Sequence, residues 1–225
     1  MINKFLKSIH NFFLIFGINV SFVRKPQNSH TALEHNTKEK MDEFFANPEN
    51  LKNYINSERK EFFVSVVSLL KERGISANGK AIGDAGCGTG HLLLYLSREF
   101  TPSLMHGYDF SVEALKVAEK VLPQAKFTPF DIYQGTENTY DIVFCTEVLE
   151  HLLTPDRALH NLTAMLNPGG VLIITVPNGR IDTYEGHINF WSPESWEVFI
   201  GGAGEQFKKE TGLLGKTDLF AVLQK

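Results

Sequence analysis

Asp84-Ala85-Gly86-Cys87-Gly88-Thr89-Gly90, entered from an apolar strand and followed by the helix-like His91-Leu92-Leu93-Leu94-Tyr95-Leu96, decides the fold of this chain. It reads as a strand, a glycine-rich turn and a helix start, the arrangement that cradles a nucleotide-like cofactor. The glycines let the backbone approach a ligand closely and adopt dihedrals that a side chain forbids. Asp84, just ahead of them, offers an acceptor to a cationic ligand, and the ammonium at the methionine end of S-adenosylmethionine is such a group. A hydride-transferring fold would keep the G-x-G-x-x-G spacing, but His91 stands where its third glycine would fall.

The rest of a cofactor pocket follows in order. Leu104-Met105-His106-Gly107-Tyr108-Asp109 reads as a second strand, and its closing acid lies at the distance, about 20 residues past the turn, at which a carboxylate takes both ribose hydroxyls. Lys126-Phe127-Thr128-Pro129-Phe130-Asp131 reads as a third strand whose terminal acid is placed to accept from an adenine amino group, with Phe110 and Ile132 sandwiching the ring. Each acid alone reads as a solvated strand end. Three at successive strand ends beside one glycine turn point to a ligand, because open parallel sheets bind at the carboxyl ends of their strands.

Four segments carry a resemblance to a known family: Ile82 to Gly90; Gly107-Tyr108-Asp109-Phe110-Ser111; Tyr140 to Leu152, which contains Thr146-Glu147-Val148-Leu149-Glu150-His151; and Leu166 to Asn178. With them the chain resembles the class I S-adenosylmethionine-dependent methyltransferases over residues 58–225. The resemblance implies an α/β fold, a doubly wound Rossmann-like seven-stranded sheet of order 3-2-1-4-5-7-6 with the last strand antiparallel. It also implies a cofactor set of Asp84, Ala85, Gly86, Cys87, Gly88, Gly90, Asp109, Phe110, Asp131, Ile132 and Thr146. Gly83 departs from the family, which places a bulky aliphatic residue there, so a local packing defect is expected.

Composition agrees with one such domain and an extension. The chain has 225 residues, 43% hydrophobic and 21% charged, as ordinary soluble domains do. A net charge of -4 argues against a broad nucleic-acid footprint. Two cysteines, Cys87 and Cys145, make no disulfide framework, which fits a reduced, cytoplasmic setting. Leu51 to Arg73 reads as helical, with Ser57 as an N-cap and Gly74 as the stop, after which strands and helices alternate through residue 178. Glu205 to Leu213 and Asp218 to Leu223 read as a hairpin closing one edge of the sheet.

Residues 1–23 place Ile2, Phe5, Leu6, Ile9, Phe12, Phe13 and Phe16 at helical spacing, opposite Lys4, Lys7, Ser8 and Asn11. Two readings stand side by side: an amphipathic helix lying on a membrane surface or partner, and a helix packed over the domain's own core. Residues 24–57 are expected to form a linker or a lid.

Glu147-Val148-Leu149-Glu150-His151 is the most chemically suggestive cluster. If Glu147 opens a helical turn, Glu150 and His151 share its face, and His187 approaches the same rim after the fifth strand. Two carboxylates and two imidazoles would suit Mg²⁺, Mn²⁺ or Zn²⁺. The set is similar to the metal sites of ubiquinone-pathway O-methyltransferases and of enzymes that methylate the terminal 2′-hydroxyl of small RNAs. In many other methyltransferases of this resemblance the same motif carries no metal and the histidine is a wall or base, so His151 and His187 are equally candidates for general base. Tyr184, Phe190, Trp191 and Trp196 are expected to line the acceptor pocket, Trp196 being equally readable as helix core. The expected activity is methyl transfer to a hydroxyl of a small molecule, a saccharide or a lipid-linked intermediate. The rival readings are a cofactor-binding protein without turnover and an RNA 2′-O-methyltransferase, the latter disfavoured by the charge.

Overall fold

The structure, a computed structural model, describes residues 36–225. The expected amphipathic helix of residues 1–23 lies outside the described residues. Seven strands form one sheet: β1 (Ala81–Ala85), β2 (Leu104–Asp109), β3 (Lys126–Pro129), β4 (Tyr140–Thr146), β5 (Leu166–Pro177), β6 (Lys208–Leu214) and β7 (Asp218–Gln224). Their order is β3-β2-β1-β4-β5-β7-β6, as the resemblance implies. The strands from β3 across to β5 pair in parallel, whereas β7 runs antiparallel to both β5 and β6.

Alternation along the central strands makes two cores. Val143 and Cys145 face a layer with Leu162, Met165 and Trp196, while Ile142 and Phe144 face a layer with Phe63, Leu70 and Leu93. Seven helices are described: α1 (Lys38–Ala46), α2 (Pro48–Tyr54), α3 (Ser57–Glu72), α4 (His91–Glu99), α5 (Val112–Val121), α6 (Pro155–Ala164) and α7 (Pro193–Gly201). Among the described residues no helix is long and apolar enough to cross a membrane.

Several expectations are corrected. The helical span read over Leu51 to Arg73 falls in two helices, because Ile55 and Asn56 leave helical geometry, and the first begins earlier, with Pro48 in the first turn of α2. Asn56, rather than Ser57, caps α3, its extended backbone letting the side-chain oxygen accept from the Arg59 N–H at 2.9 Å. Gly74 does stop the helix, at φ +66°. The described part of residues 24–57 is built into α1 and α2 rather than an extended linker. Trp196 belongs to the core: it is fully buried and its Nε1–H donates to the Phe220 carbonyl at 3.0 Å. Trp191, half-buried, packs its ring on Trp196 and Phe199.

Gly83 leaves no defect. A Cβ there would lie 2.6 Å from Cδ2 of Tyr140, so the tyrosine ring occupies the volume that an aliphatic side chain would fill. Burying that ring brings a hydroxyl inside, and the hydroxyl is satisfied. Tyr140 Oη lies 2.6 Å from Tyr108 Oη and 2.7 Å from His106 Nδ1, and the second ring nitrogen of His106 lies 2.8 Å from Thr128 Oγ1. Burial holds His106 down to about 4, so the chain of hydrogen bonds runs through a neutral imidazole. Gly83→Ala is therefore expected to destabilise the domain by about 1–3 kcal/mol through overpacking. Chemical denaturation of the purified variant checks this.

Candidate active site

The carboxyl ends of β1, β2, β4 and β5 bring the expected residues to one edge of the sheet. At the end of β1, Asp84 is 1% exposed and neither carboxylate oxygen has a hydrogen-bond partner among the described residues. Burial, with Asp109 adding to it, pushes this carboxyl up to about 8. A buried acceptor left without a donor costs stability, so the position makes physical sense only when a ligand brings the donor. Gly86, Gly88 and Gly90 all have positive φ, and Gly90 caps α4 in the left-handed region. The turn between Asp84 and α4 thus presents backbone, not side chains, to whatever binds there. Ala85 and Cys87 are buried in the same turn.

Asp109 closes β2, where it accepts from the backbone N–H groups of Gly88 and Ser111, each at 2.8 Å. Burial raises its carboxyl to about 6 despite those bonds. Each oxygen keeps a lone pair for a ribose hydroxyl. Phe110 stays partly exposed beside it, and Ile132 is half-buried. The third strand stops at Pro129, so Asp131 sits two residues beyond it in an exposed turn, accepting from the Tyr133 N–H and Gln134. Thr146 ends β4, level with Thr175 of β5. This set fits S-adenosylmethionine: an orphaned carboxylate for the ammonium, a glycine cradle and a fixed acid for the ribose.

The second cluster forms differently from the helical turn that its spacing suggests. Glu147 has φ +56°, in the left-handed region, and only Leu149–His151 makes a single 3-10 turn. Glu147 stands outside the group whose ligand atoms converge and accepts from Thr175 Oγ1 at 2.9 Å. Burial, with Asp218 adding to it, pushes its carboxyl up to about 8. Glu150, His151 and His187 do converge, offering ligand atoms all within 4.8 Å of one another. Glu150 is 1% exposed, both its oxygens lack a partner, and burial raises its pKa well above the ordinary carboxylate range. His151 Nε2 lies 3.8 Å and His187 Nε2 3.9 Å from Glu150 Oε1. Burial, and then the His187 charge, brings His151 down to about 4.

Residues distant in sequence meet here because the segment after β5 is stapled to the turn after β4. The N–H groups of Ile188 and Asn189 donate to the Glu150 carbonyl, and the Asn189 side chain donates to the carbonyls of Leu149 and Leu152 at 3.1 and 2.6 Å. His151 Nδ1 lies 3.2 Å from the Gly186 carbonyl, which also accepts from Asn36 at 2.9 Å. Tyr184, 61% exposed, and Phe190 flank the His187 ring at 4.8 and 6.3 Å. Beside them an open cleft of about 620 Å³ is lined by Ile181, Asp182, Tyr184, Glu185, Thr217 and Asp218.

Sequence reading missed the contribution of α1 to α3. Phe44, Phe45 and Tyr54 form an edge-to-face cluster, and the Tyr54 hydroxyl stands 3.2 Å from where a Gly88 Cβ would be. Asp42 anchors α1 to the start of α5, accepting from Ser111 Oγ at 2.7 Å and from the Glu113 N–H at 3.3 Å. Arg59 places its guanidinium 4.7 Å above the Tyr54 ring. Its one sequence signal was a cation in the first turn of a helix, where the dipole disfavours it.

A family model described as a methyltransferase domain matches residues 55–204. The chain belongs to this family, within the class I S-adenosylmethionine-dependent methyltransferases. The methyltransferase is similar to the ubiquinone biosynthesis O-methyltransferase of Coxiella burnetii, 29% identical over 119 residues, 50% of this chain and 50% of that protein. It is also similar to the malonyl-[acyl-carrier protein] O-methyltransferase of Halalkalibacterium halodurans, 28% identical over 163 residues, 68% of this chain and 60% of that protein. The chain spans about half the length of the first of these relatives. In fold, the methyltransferase matches the N-methyltransferase NodS from Bradyrhizobium japonicum WM9, solved with S-adenosyl-L-homocysteine, with a TM-score of 0.63 at 19% identity over 84% of this chain and 98% of that one.

Two measurements test the site. In the ligand-free fold Asp84 keeps its proton until about pH 8, and an ammonium ligand needs the carboxylate. Affinity for S-adenosylhomocysteine should therefore rise as pH rises toward that value, by up to about tenfold per pH unit, then level off. Calorimetry across this range should find the slope absent in Asp84→Asn. The same raised pKa means that Asp84 makes the ligand-free fold lose stability as pH climbs from the ordinary carboxylate range toward 8, a loss that the bound cofactor offsets. Independently, Asn189→Ala should cost about 1–3 kcal/mol by orphaning the Leu152 carbonyl and leaving that of Leu149 with the Leu152 N–H as its remaining donor. Thermal unfolding reads that loss.

Proposed function

We propose that this methyltransferase transfers the methyl group to a hydroxyl of a small-molecule, saccharide or lipid-linked acceptor, with His187 as the general base. The observation behind this reading is the His187 imidazole, held by a carboxylate on one nitrogen and facing the Glu150 and His151 side with the other, beside an open cleft. A hydroxyl must lose a proton as it becomes the nucleophile, and a histidine within hydrogen-bond reach is the usual acceptor. Two relatives named as O-methyltransferases support the same atom.

When bound, S-adenosylmethionine supplies an electrophilic methyl on a sulfonium whose departure leaves a neutral thioether. The protein's part is largely positional. Asp84 holds the ammonium, Asp109 the ribose, and the backbone of Gly86 and Gly88 leaves room between them. Tyr184 and Phe190 offer apolar faces against which an acceptor packs while its hydroxyl turns toward His187. His151, brought down to about 4, is neutral at physiological pH, so it adds no imidazolium charge beside His187.

A divalent cation at Glu150, His151 and His187 is a second reading, favoured by one feature. Both imidazoles have Nδ1 at an acceptor oxygen and turn Nε2 toward the unpartnered Glu150 carboxylate, the pattern of histidines held for metal. Two nitrogens and one oxygen suit Zn²⁺ or Mn²⁺ better than Mg²⁺, which prefers oxygen. A cation there would lower the pKa of an acceptor hydroxyl.

Acceptor screening with methyl-labelled cofactor tests the assignment. His187→Ala should lower turnover by roughly 10²- to 10⁴-fold with S-adenosylhomocysteine affinity unchanged. Insensitivity to chelators with that loss supports the base; loss of turnover on chelation, restored by Zn²⁺ or Mn²⁺, supports the cation. Full turnover by His187→Ala, without response to chelators, overturns both readings.

A further inference from the structure

Asp182 has no part in the motifs that led to this site, yet it makes the closest polar contact to His187. Asp182 Oδ2 lies 2.5 Å from His187 Nδ1, and both side chains are largely withdrawn from solvent, at 9% and 11% exposure. The other oxygen, Oδ1, accepts from the Tyr184 N–H at 3.0 Å, which fixes the carboxylate on the loop after β5. A backbone N–H can only donate, so Oδ1 is an acceptor, and a carboxylate held in this way has no hydrogen of its own to offer His187 Nδ1. An ionised carboxylate only accepts. The hydrogen in this contact therefore belongs to His187 Nδ1, and a neutral ring must carry its lone pair on Nε2.

We propose that Asp182 is a positioning residue that locks His187 in the Nδ1–H tautomer, with the Nε2 lone pair turned toward Glu150 and His151. The inference deepens the assignment of His187 and rests on it for its catalytic meaning, since the same tautomer is needed whether Nε2 takes a proton or binds a cation. The tautomer itself follows from the contact alone. Packing reinforces it: Tyr184 lies 4.8 Å and His151 4.7 Å from the His187 ring, edge-on. Gly186 makes this fit possible, because a Cβ there would lie within 2.4 Å of the Tyr184 ring. A carboxylate on one imidazole nitrogen also raises the basicity of the other.

Nitrogen-15 spectra of histidine-labelled full-length protein, recorded at a pH where the ring is neutral, report which nitrogen bears the hydrogen. The wild-type His187 signal is expected to show protonated Nδ1 and unprotonated Nε2. In Asp182→Asn the amide can still accept from the Tyr184 N–H while its NH₂ group donates to Nδ1, so the signal should switch to Nε2–H. Asp182→Ala should lose the preference for Nδ1–H. Unchanged S-adenosylhomocysteine affinity and backbone amide shifts of β4 and β5 establish that these variants are folded, so that a loop role alone would leave the tautomer where it was. Nε2–H in the wild type, or retained Nδ1–H in folded Asp182→Asn, overturns the proposal. The two ideas fail separately: full turnover by His187→Ala ends the catalytic assignment without altering the tautomer result.

Discussion

The carboxyl edge of this sheet depends on a backbone approach between two turns. Gly86 in the turn after β1 stands so close to Val148 in the turn after β4 that a Cβ on it would lie 2.3 Å from Val148 Cγ2. Both turns hold a residue in the left-handed region, Gly86 in the first and Glu147 in the second. Because the turns touch, the glycine turn beside Asp84 and the turn that carries Glu150 and His151 are parts of a single wall. Any residue larger than glycine would drive them apart and change the distance over which a methyl group must travel.

Buried carboxyls short of donors are the second organising feature. Asp84 and Glu150 are buried carboxyls without donors, and Glu147 has one bond from Thr175. Their pKa values rise because burial penalises the anion more than the few nearby donors favour it. Arg59, reaching in from α3, is a cation felt by both Glu147 and Glu150. Burial of these carboxyls favours their protonated forms in the ligand-free fold. Helices and strands that bury apolar side chains supply the rigidity that makes such an arrangement tolerable.

How much of this was readable beforehand follows from the range of each interaction. The sheet order, the glycine turn and the acids at Asp84 and Asp109 were legible, since a strand, a tight turn and a helix start are local in sequence. The hairpin was legible from Gly215-Lys216-Thr217, though β6 starts at Lys208, three residues later than its apolar pattern suggested. The helical turn at Glu147 was misread because spacing alone cannot reveal a left-handed residue. Asp182, Asn189 and Asn36 could not be found from spacing, because their partners lie at irregular intervals or far along the chain. Trp196 looked equally suited to pocket or core, and a carbonyl on β7 for its indole N–H decides for the core.

Gly83 and Tyr140 share one volume, and that has a consequence for descent as well as packing. Neither position can change freely: a branched side chain on β1 requires a smaller neighbour on β4, and a smaller neighbour releases Tyr108 and His106 from their buried partner. The pair should therefore covary among close homologues, with the imidazole at 106 and the hydroxyl at 108 following it. Four residues on three strands would then be inherited as a block, and a single exchange between lineages at any one of them would carry a cost that the full set does not.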